Sequence, residues 1–517
     1  MGRSNLLTLL IVLICGACAS CSSGSTKAHD VTNDQTVNIP DTDSDKVQDL
    51  AGDEANKPDS VSDQASLPET AELPKDIEAP DSSPDAIVDV AEDASDAIAN
   101  DAVETVDTLA APARYPEGRV HSPITPFVVN RMKAIVAQDE TRQDDVFMKV
   151  GDSITVTTTF LNCLSSPVSL PDSDLTEAAA YFRQGDADGS TPFNRASLAA
   201  QGGRAASWAI SGTPSPINQE IAAISPRFAL IMFGTNDIGW YADDMPAMLR
   251  WYTDAMIRLV DALPPKGIIP VLSSIPRRGD DADLDLWVPT LNAIIRGLAE
   301  TRQIPFLDFH LALEPLTGYG LSPDGVHPNA ASGGSCDFSS DGLDHGQNTR
   351  NLITMEVLTQ LYEMVLSDEP APDQGGRFLE GTGTPADPIR IDALPFSDWR
   401  DTTTSTSREF DTYSCGSGQD ESGPEFVYRL ELQSSKRLRM MVLDVGNVDI
   451  DIHLLDSSSQ ASGCLARNNT IIQGTLGPGT FHIVADTFVS NAQEHTGPFL
   501  LVILACPDDD TLCDVAL

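Results

Sequence analysis

The chain has 517 residues and carries 32 Lys and Arg against 77 Asp and Glu, a formal net charge of −45, which excludes a basic nucleic-acid-binding protein. Its 41% hydrophobic content is enough for packed cores, and its length allows two to four domains of about 100–200 residues. None of the 5 Trp, 8 Tyr and 17 Phe occurs before Tyr115, however, so the first hundred or so residues lack the bulk for a core and two moderate domains remain.

Behind Arg3, the run Leu6 to Ile14 is apolar but too short to span a bilayer as a helix, the pattern of an export signal. Cys15, Cys18 and Cys21 follow among small residues, an arrangement that resembles a bacterial lipobox, in which a cysteine is lipidated and becomes the first residue. Cys18 is the first choice for that role and Cys21 the alternative, each with Cys rather than the usual Leu three residues upstream. The implied product is a lipoprotein anchored at the outer membrane or cell surface, with a cleaved secretory signal as the other reading. From Ser22 to Ala113 there are 23 acids against 4 lysines and no sustained apolar period, which reads as a disordered acidic tether extended by its own charge.

Between about Tyr115 and Ser367 short apolar runs alternate with amphipathic ones. The runs are Val146 to Val150, Phe228 to Phe233, Ile268 to Leu272 and Ile304 to Leu307. Val128, Met132, Ile135 and Val136 mark a helix before them, and Met245 to Leu263 and Leu286 to Thr301 mark helices between them. This is an α/β pattern built on a parallel sheet, and in such sheets ligands bind at the carboxyl ends of the strands.

Three polar turns stand in that position. Gly151-Asp152-Ser153 follows the first strand and presents a serine hydroxyl at the sheet's edge. Gly234-Thr235-Asn236-Asp237 follows the second, with a side-chain amide that can donate to a developing negative charge. Asp324-Gly325-Val326-His327 comes after the last, and a carboxylate three residues before a histidine can hold one ring nitrogen while the other faces the serine.

These blocks resemble the SGNH, or GDSL-type, hydrolase family over roughly residues 115–367. The resemblance implies a flavodoxin-like three-layer α/β fold and ester hydrolysis through an acyl-serine, without a cofactor or metal. Carried over by residue, Ser153 is the nucleophile, His327 the general base and Asp324 its orienting carboxylate. The oxyanion donors are the Ser153 N–H, Asn236 and a glycine of Ala199-Ala200-Gln201-Gly202-Gly203-Arg204, where Gly203 is chosen and Gly202 is the alternative; the family's usual preceding Asn is missing. Trp240, Tyr241 and Arg204 lie close to these blocks and read as packing or surface residues, with a share in the substrate pocket as the other possibility. Asp308 and His310 form a second Asp-x-His pair whose spacing and position mark it as structural.

Six cysteines remain beyond the signal, an even number that suggests disulfides in an exported protein. Cys163 stands ten residues after Ser153 and Cys336 nine after His327, so a bond between them would brace the loops of nucleophile and base. Of the three connectivities open to the others, Cys415–Cys464 and Cys506–Cys513 are favoured.

Residues 368–387, rich in Gly, Thr and Pro, read as a linker. Beyond them the period changes to two, as in Phe426-Tyr428-Leu430-Leu432 and Val448-Ile450-Ile452-Leu454, with further strands at Phe481 to Ala485 and Phe499 to Leu504. Residues 388–517 thus predict a small antiparallel β-sandwich. The runs Ser422-Gly423-Pro424-Glu425, Asp449-Ile450-Asp451 and Leu476-Gly477-Pro478-Gly479 resemble the bacterial pre-peptidase C-terminal domain, which implies a noncatalytic accessory module. Asp449 and Asp451 read as the solvated face of a strand, with calcium binding as a second reading. The function expected for the whole is a surface-tethered serine esterase acting on an acetylated glycan or an acyl lipid. The alternative is a noncatalytic carbohydrate-binding or adhesive lipoprotein on a hydrolase scaffold.

Overall fold

The four apolar runs pair as a parallel sheet in the order β1-β2-β3-β4, with β1 Gln143–Gly151, β2 Pro226–Met232, β3 Ile269–Ser273 and β4 Phe306–Leu307. The computed structural model describes residues 111–240 and 243–517, so the three N-terminal cysteines, nearly all of the acidic stretch and Tyr241 lie outside the described residues. β2 and β3 are buried at every position, as central parallel strands covered on both faces must be. Helices lie against the sheet: Ser173–Phe182 packs on Gly346–Leu361, Met245–Asp261 packs on Val288–Arg302, and Pro216–Ile224 and Pro126–Val136 contact β1 and β3. Two of these helices start at side-chain caps set before a proline: Thr125 accepts from the Val128 N–H and Asp244 from the Ala247 N–H. Among the described residues no helix is long and apolar enough to cross a membrane.

On the outer edge of β1 the segment at Ala199–Gln201 makes a single bridge. The Gly151 N–H donates to Ala199 O at 3.1 Å, and the Gln201 N–H donates to Gly151 O at 3.0 Å. That bridge brings Gly202 and Gly203 to the end of β1, where Ser153 stands.

The C-terminal region has strands β5 Ile389–Ile391, β6 Phe396–Asp401, β7 Glu425–Leu432, β8 Lys436–Asp444, β9 Ile450–Leu455, β10 Cys464–Asn468, β11 Ile471–Leu476, β12 Gly479–Thr487, β13 Val489–Ser490, β14 Gln493–Glu494 and β15 Pro498–Ala505. One sheet runs β10-β9-β12-β7-β5 and the other β11-β8-β15-β6. Every pairing is antiparallel except that β5 joins β7 in parallel, which departs from the purely antiparallel expectation. Met440, Val442, Leu501 and Ile503 fill the space between the sheets. The neighbouring Met441, Leu443, Leu500 and Val502 point the other way and join the core of the first domain. Strands β8 and β15 are therefore buried on both faces, and the apolar runs at residues 440–443 and 499–504 reflect it.

Asp451 departs from the solvated face expected for it. It is 1% exposed, because Phe410 and Tyr413 from the segment before β7 cover the outer face of β9 and β12, and it is ion-paired with Arg467.

The junction of the two domains is locked by buried charge. Arg439 on β8, fully buried, pairs with Asp510 at 2.9 Å, donates to Thr290 Oγ1 at 2.6 Å and lies 4.2 Å from the Trp287 ring centre. Glu300 of Val288–Arg302 accepts from the Ser397 hydroxyl at 2.8 Å and from the Tyr115 N–H at 2.5 Å, while pairing with Arg114. Removing one member of the Arg439–Asp510 pair leaves the other charge stranded, which costs about 3–5 kcal/mol. Asp510→Ala should lower unfolding stability in urea by that amount, and Arg439→Leu with Asp510→Leu should recover most of it.

Candidate active site

Ser153 begins the short helix Ser153–Val156 directly after β1, and Asp152 caps that helix by accepting from the Ile154 N–H at 3.0 Å. Its hydroxyl lies 2.8 Å from His327 Nε2, and His327 Nδ1 lies 2.9 Å from Asp324 Oδ2. With the ring proton on Nδ1 and donated to Asp324, Nε2 is left to accept from Ser153. Asp324 Oδ1 accepts from the backbone N–H groups of His327 and Val326, each at 3.0 Å. Chiefly those two bonds, with the imidazole beside it, hold its carboxyl down to about 2, so it is an anion throughout the neutral range. The side chains of His327 and Asp324 are 43% and 51% exposed, so the site opens onto the surface.

Gly325, between these two residues, has φ +72°, and a Cβ there would lie 2.5 Å from the Asp280 nitrogen. Only glycine fits both demands. The close approach lets the Gly279 N–H donate to Gly325 O at 2.8 Å. The next residue back, Arg278, donates to Thr235 O at 2.7 Å and forks onto Asp280. The turn after β3 thereby ties the histidine block to the asparagine block.

Asn236 donates from Nδ2 to Asp152 Oδ2 and to Arg204 O, both at 3.2 Å, which fixes its amide beside the serine turn. Of the two candidate glycines, Gly202 is the one against the nucleophile, since a Cβ on it would stand 3.6 Å from Ser153 Cβ. Gly203 supplies the left-handed turn with φ +72° and has open space on its side-chain face. Trp240 stands 59% exposed on the surface, and Arg204 lies over the Trp208 ring. Asp308 is a buried structural residue: it caps the helix Phe309–Leu313, accepts from Ser274 and pairs with Arg296 at 2.6 Å.

All three disulfides expected from the sequence are formed, Cys163–Cys336, Cys415–Cys464 and Cys506–Cys513. The first joins the loops that leave Ser153 and His327, with 5.9 Å between α-carbons. Asn351, unforeseen from the sequence, reinforces it: its Oδ1 accepts from the Leu161 N–H at 2.8 Å, and its Nδ2 donates to Thr159 O and Ser335 O, each at 2.9 Å.

Arg350 is equally unforeseen. Buried below the nucleophile turn, it donates to Ile154 O at 2.5 Å and Thr155 Oγ1 at 3.2 Å and stacks 3.7 Å from the Phe160 ring centre. Burial pulls its pKa down to about 9 against the opposing pull of Asp152, so it stays cationic at neutral pH. The sequence does hold a signal for both residues. Gln347, Arg350, Asn351 and Thr354 continue, at helical spacing, the stripe that Leu358 and Leu361 occupy further along, and all six are buried.

A model of the GDSL-like lipase/acylhydrolase family matches residues 150–332, a span that includes Ser153, Asn236, Asp324 and His327. This part of the chain belongs to that family. The GDSL-like domain is accordingly that of a serine ester hydrolase. No curated protein matches the chain. Among solved structures it is similar to an acetylxylan esterase from Geobacillus stearothermophilus, with 17% identity over 41% of this chain and 93% of that one and a TM-score of 0.28. An acetyl esterase variant with bound acetate shares 18% identity over 42% and 99% of the chains, with a TM-score of 0.29. The C-terminal region is similar to the pre-peptidase C-terminal domain of a collagenase from Bacillus anthracis, at 15% identity over 22% and 91%, with a TM-score of 0.15.

Two acids of the GDSL-like domain's serine and asparagine blocks are raised on folding. Burial pushes Asp152 up to about 6 and Asp237 up to about 7, and repulsion from Asp152 adds to the rise at Asp237. Such an acid costs nothing while protonated in both states, so its penalty is absent below about pH 4, grows as the pH climbs and is complete above its folded pKa. Asp237→Asn keeps an acceptor for the Ala206 N–H that Asp237 now holds at 2.9 Å. The variant should unfold at a higher temperature than the parent at pH 8 and gain nothing at pH 4, measured by calorimetry at both.

Proposed function

We propose that the protein is a serine esterase that works through an acyl-enzyme on Ser153. The observation that carries this is the pair of contacts at His327, 2.8 Å to the Ser153 hydroxyl and 2.9 Å to Asp324. His327 takes the hydroxyl proton as Ser153 Oγ attacks the ester carbonyl, and Asp324 stabilises the imidazolium that forms. The negative charge on the carbonyl oxygen falls to the Ser153 N–H, an N–H of the Gly202–Gly203 pair and Asn236, whose Nδ2 gives up its bond to Arg204 O to donate there. His327 then gives its proton to the departing alcohol, and the same steps with water release the acid. Because Ser153 sits at an open edge, the site suits an ester that projects from a large molecule, an acetylated glycan above all. The lipobox-like Cys18 or Cys21 and the acidic stretch behind it support a place at the cell surface, tethered to the membrane.

A fluorophosphonate probe should bond covalently to Ser153 in the full chain, and peptide mapping should find it there. Ser153→Ala should abolish labelling and His327→Ala should slow it at least a hundredfold. Labelling that persists in Ser153→Ala places the nucleophile elsewhere.

A further inference from the structure

A deep recess lies away from Ser153. It is a cleft of about 790 Å³ between the GDSL-like domain and the end of β15. Its position follows from the sheet: Arg277 comes after β3, and Asp308 and His310 come after β4. It therefore occupies the same carboxyl-end edge as Ser153 after β1 and Asn236 after β2, displaced toward the β3 and β4 side. Tyr319 borders it and precedes Asp324 by five residues in the same connection, while the Arg277–Gly279 turn that forms another wall is the one bonded to Gly325. The β-sandwich closes the far side with Leu504, Pro507 and Asp509.

We infer that this cleft binds a stretch of neutral polysaccharide, the chain whose ester substituent reaches Ser153. The inference rests on the esterase reading and names its substrate class. Four features carry it. Tyr319 presents a ring that is 41% exposed, from a backbone with φ +56°, a conformation that costs a tyrosine energy, and Arg277 stacks against that ring at 4.5 Å. An aromatic face held in this way matches the C–H face of a sugar ring. Around it stand planar groups already fixed in place: Asp285 is bonded to Arg277, and Asp308 to Arg296. With their carboxylate partners holding them, the remaining N–H groups of the Arg277 and Arg296 guanidiniums can donate to neighbouring hydroxyls with little further loss of entropy. Leu311 and Leu504 line the same cleft, so it offers apolar as well as polar contact, as a sugar chain does.

The fourth feature is charge. Glu117, Asp285, Asp308, Glu314 and Asp509 line the cleft against only Arg277 and Arg296 as full cations, since burial lowers the pKa of His310 and leaves it neutral. A uronate chain or a phospholipid headgroup would meet that excess of carboxylates, and a neutral glycan would not.

The test uses full-length Ser153→Ala protein and calorimetric titration with linear oligosaccharides of about six residues. The probes are xylo-, manno-, gluco- and N-acetylglucosamine series, an oligogalacturonate, and vesicles of anionic phospholipid. At least one neutral series should bind, and adding Tyr319→Ala or Glu314→Lys should each weaken that binding tenfold or more, with unfolding midpoints unchanged as the check on folding. No neutral series bound, equal binding by both added variants, or Tyr319-dependent capture of the uronate or the vesicles would each overturn the inference. Hydrolysis of p-nitrophenyl acetate by the wild-type protein is measured separately. Tyr319-dependent glycan binding without hydrolysis sinks the esterase reading and leaves the cleft, whereas hydrolysis without glycan binding does the reverse.

Discussion

Ser153 and His327 are 174 residues apart in the chain and must stay within one hydrogen bond of each other. Their loops leave opposite ends of the sheet's sequence, and a displacement of an ångström would separate nucleophile from base. The chain answers this in layers. The Cys163–Cys336 bond closes a 173-residue span between the two loops, worth about 5 kcal/mol on the chain-entropy model. Asn351 fills the space beside the disulfide with three hydrogen bonds to both loops, and Arg350 grips the serine turn from below. On the other side, the contact of Gly325 with Gly279 and the reach of Arg278 to Thr235 fix the histidine turn against the asparagine block.

The same layering explains why the site carries so much buried charge. Asp152 and Asp237 are acids kept against burial, and Arg350 is a cation kept against it. Each gives up stability to orient something: Asp152 the serine turn and the Asn236 amide, Asp237 the Ala206 N–H that follows the glycine pair, Arg350 the floor of the turn. The stability is recovered elsewhere, in a core that runs without interruption from the GDSL-like domain into strands β8 and β15. The C-terminal sandwich is thus a structural partner of the domain that holds Ser153 as well as one wall of the interdomain cleft.

Much of this was legible in the sequence, and the reasons differ by element. The four strands stood out because buried parallel strands are short and mostly apolar, and the turns after them because polar residues at the ends of such runs have few other uses. Ser153, Asn236, Asp324 and His327 were found as local patterns. Arg350 and Asn351 were not, because they act on loops some 190 residues away, and no local pattern names a partner at that distance. The burial of Asp451 was missed for a related reason: alternation on β9 describes one sheet, and the segment around Phe410 and Tyr413 that covers its outer face is irregular. The unbroken run in β15 did carry the information that a second surface covers it, namely the helix Val288–Arg302, although a period-two reading could not say which.

The claim on which the rest depends is that Ser153, His327 and Asp324 act as one unit. The most direct measurement is kcat/KM on p-nitrophenyl acetate for Ser153→Ala, His327→Ala and the double variant, each purified free of wild-type protein. If the residues are one machine, either single change should cost at least a thousandfold, and the double variant should be no slower than the worse single one. Losses that multiply in the double variant, or a single variant that keeps most of its activity, would contradict it.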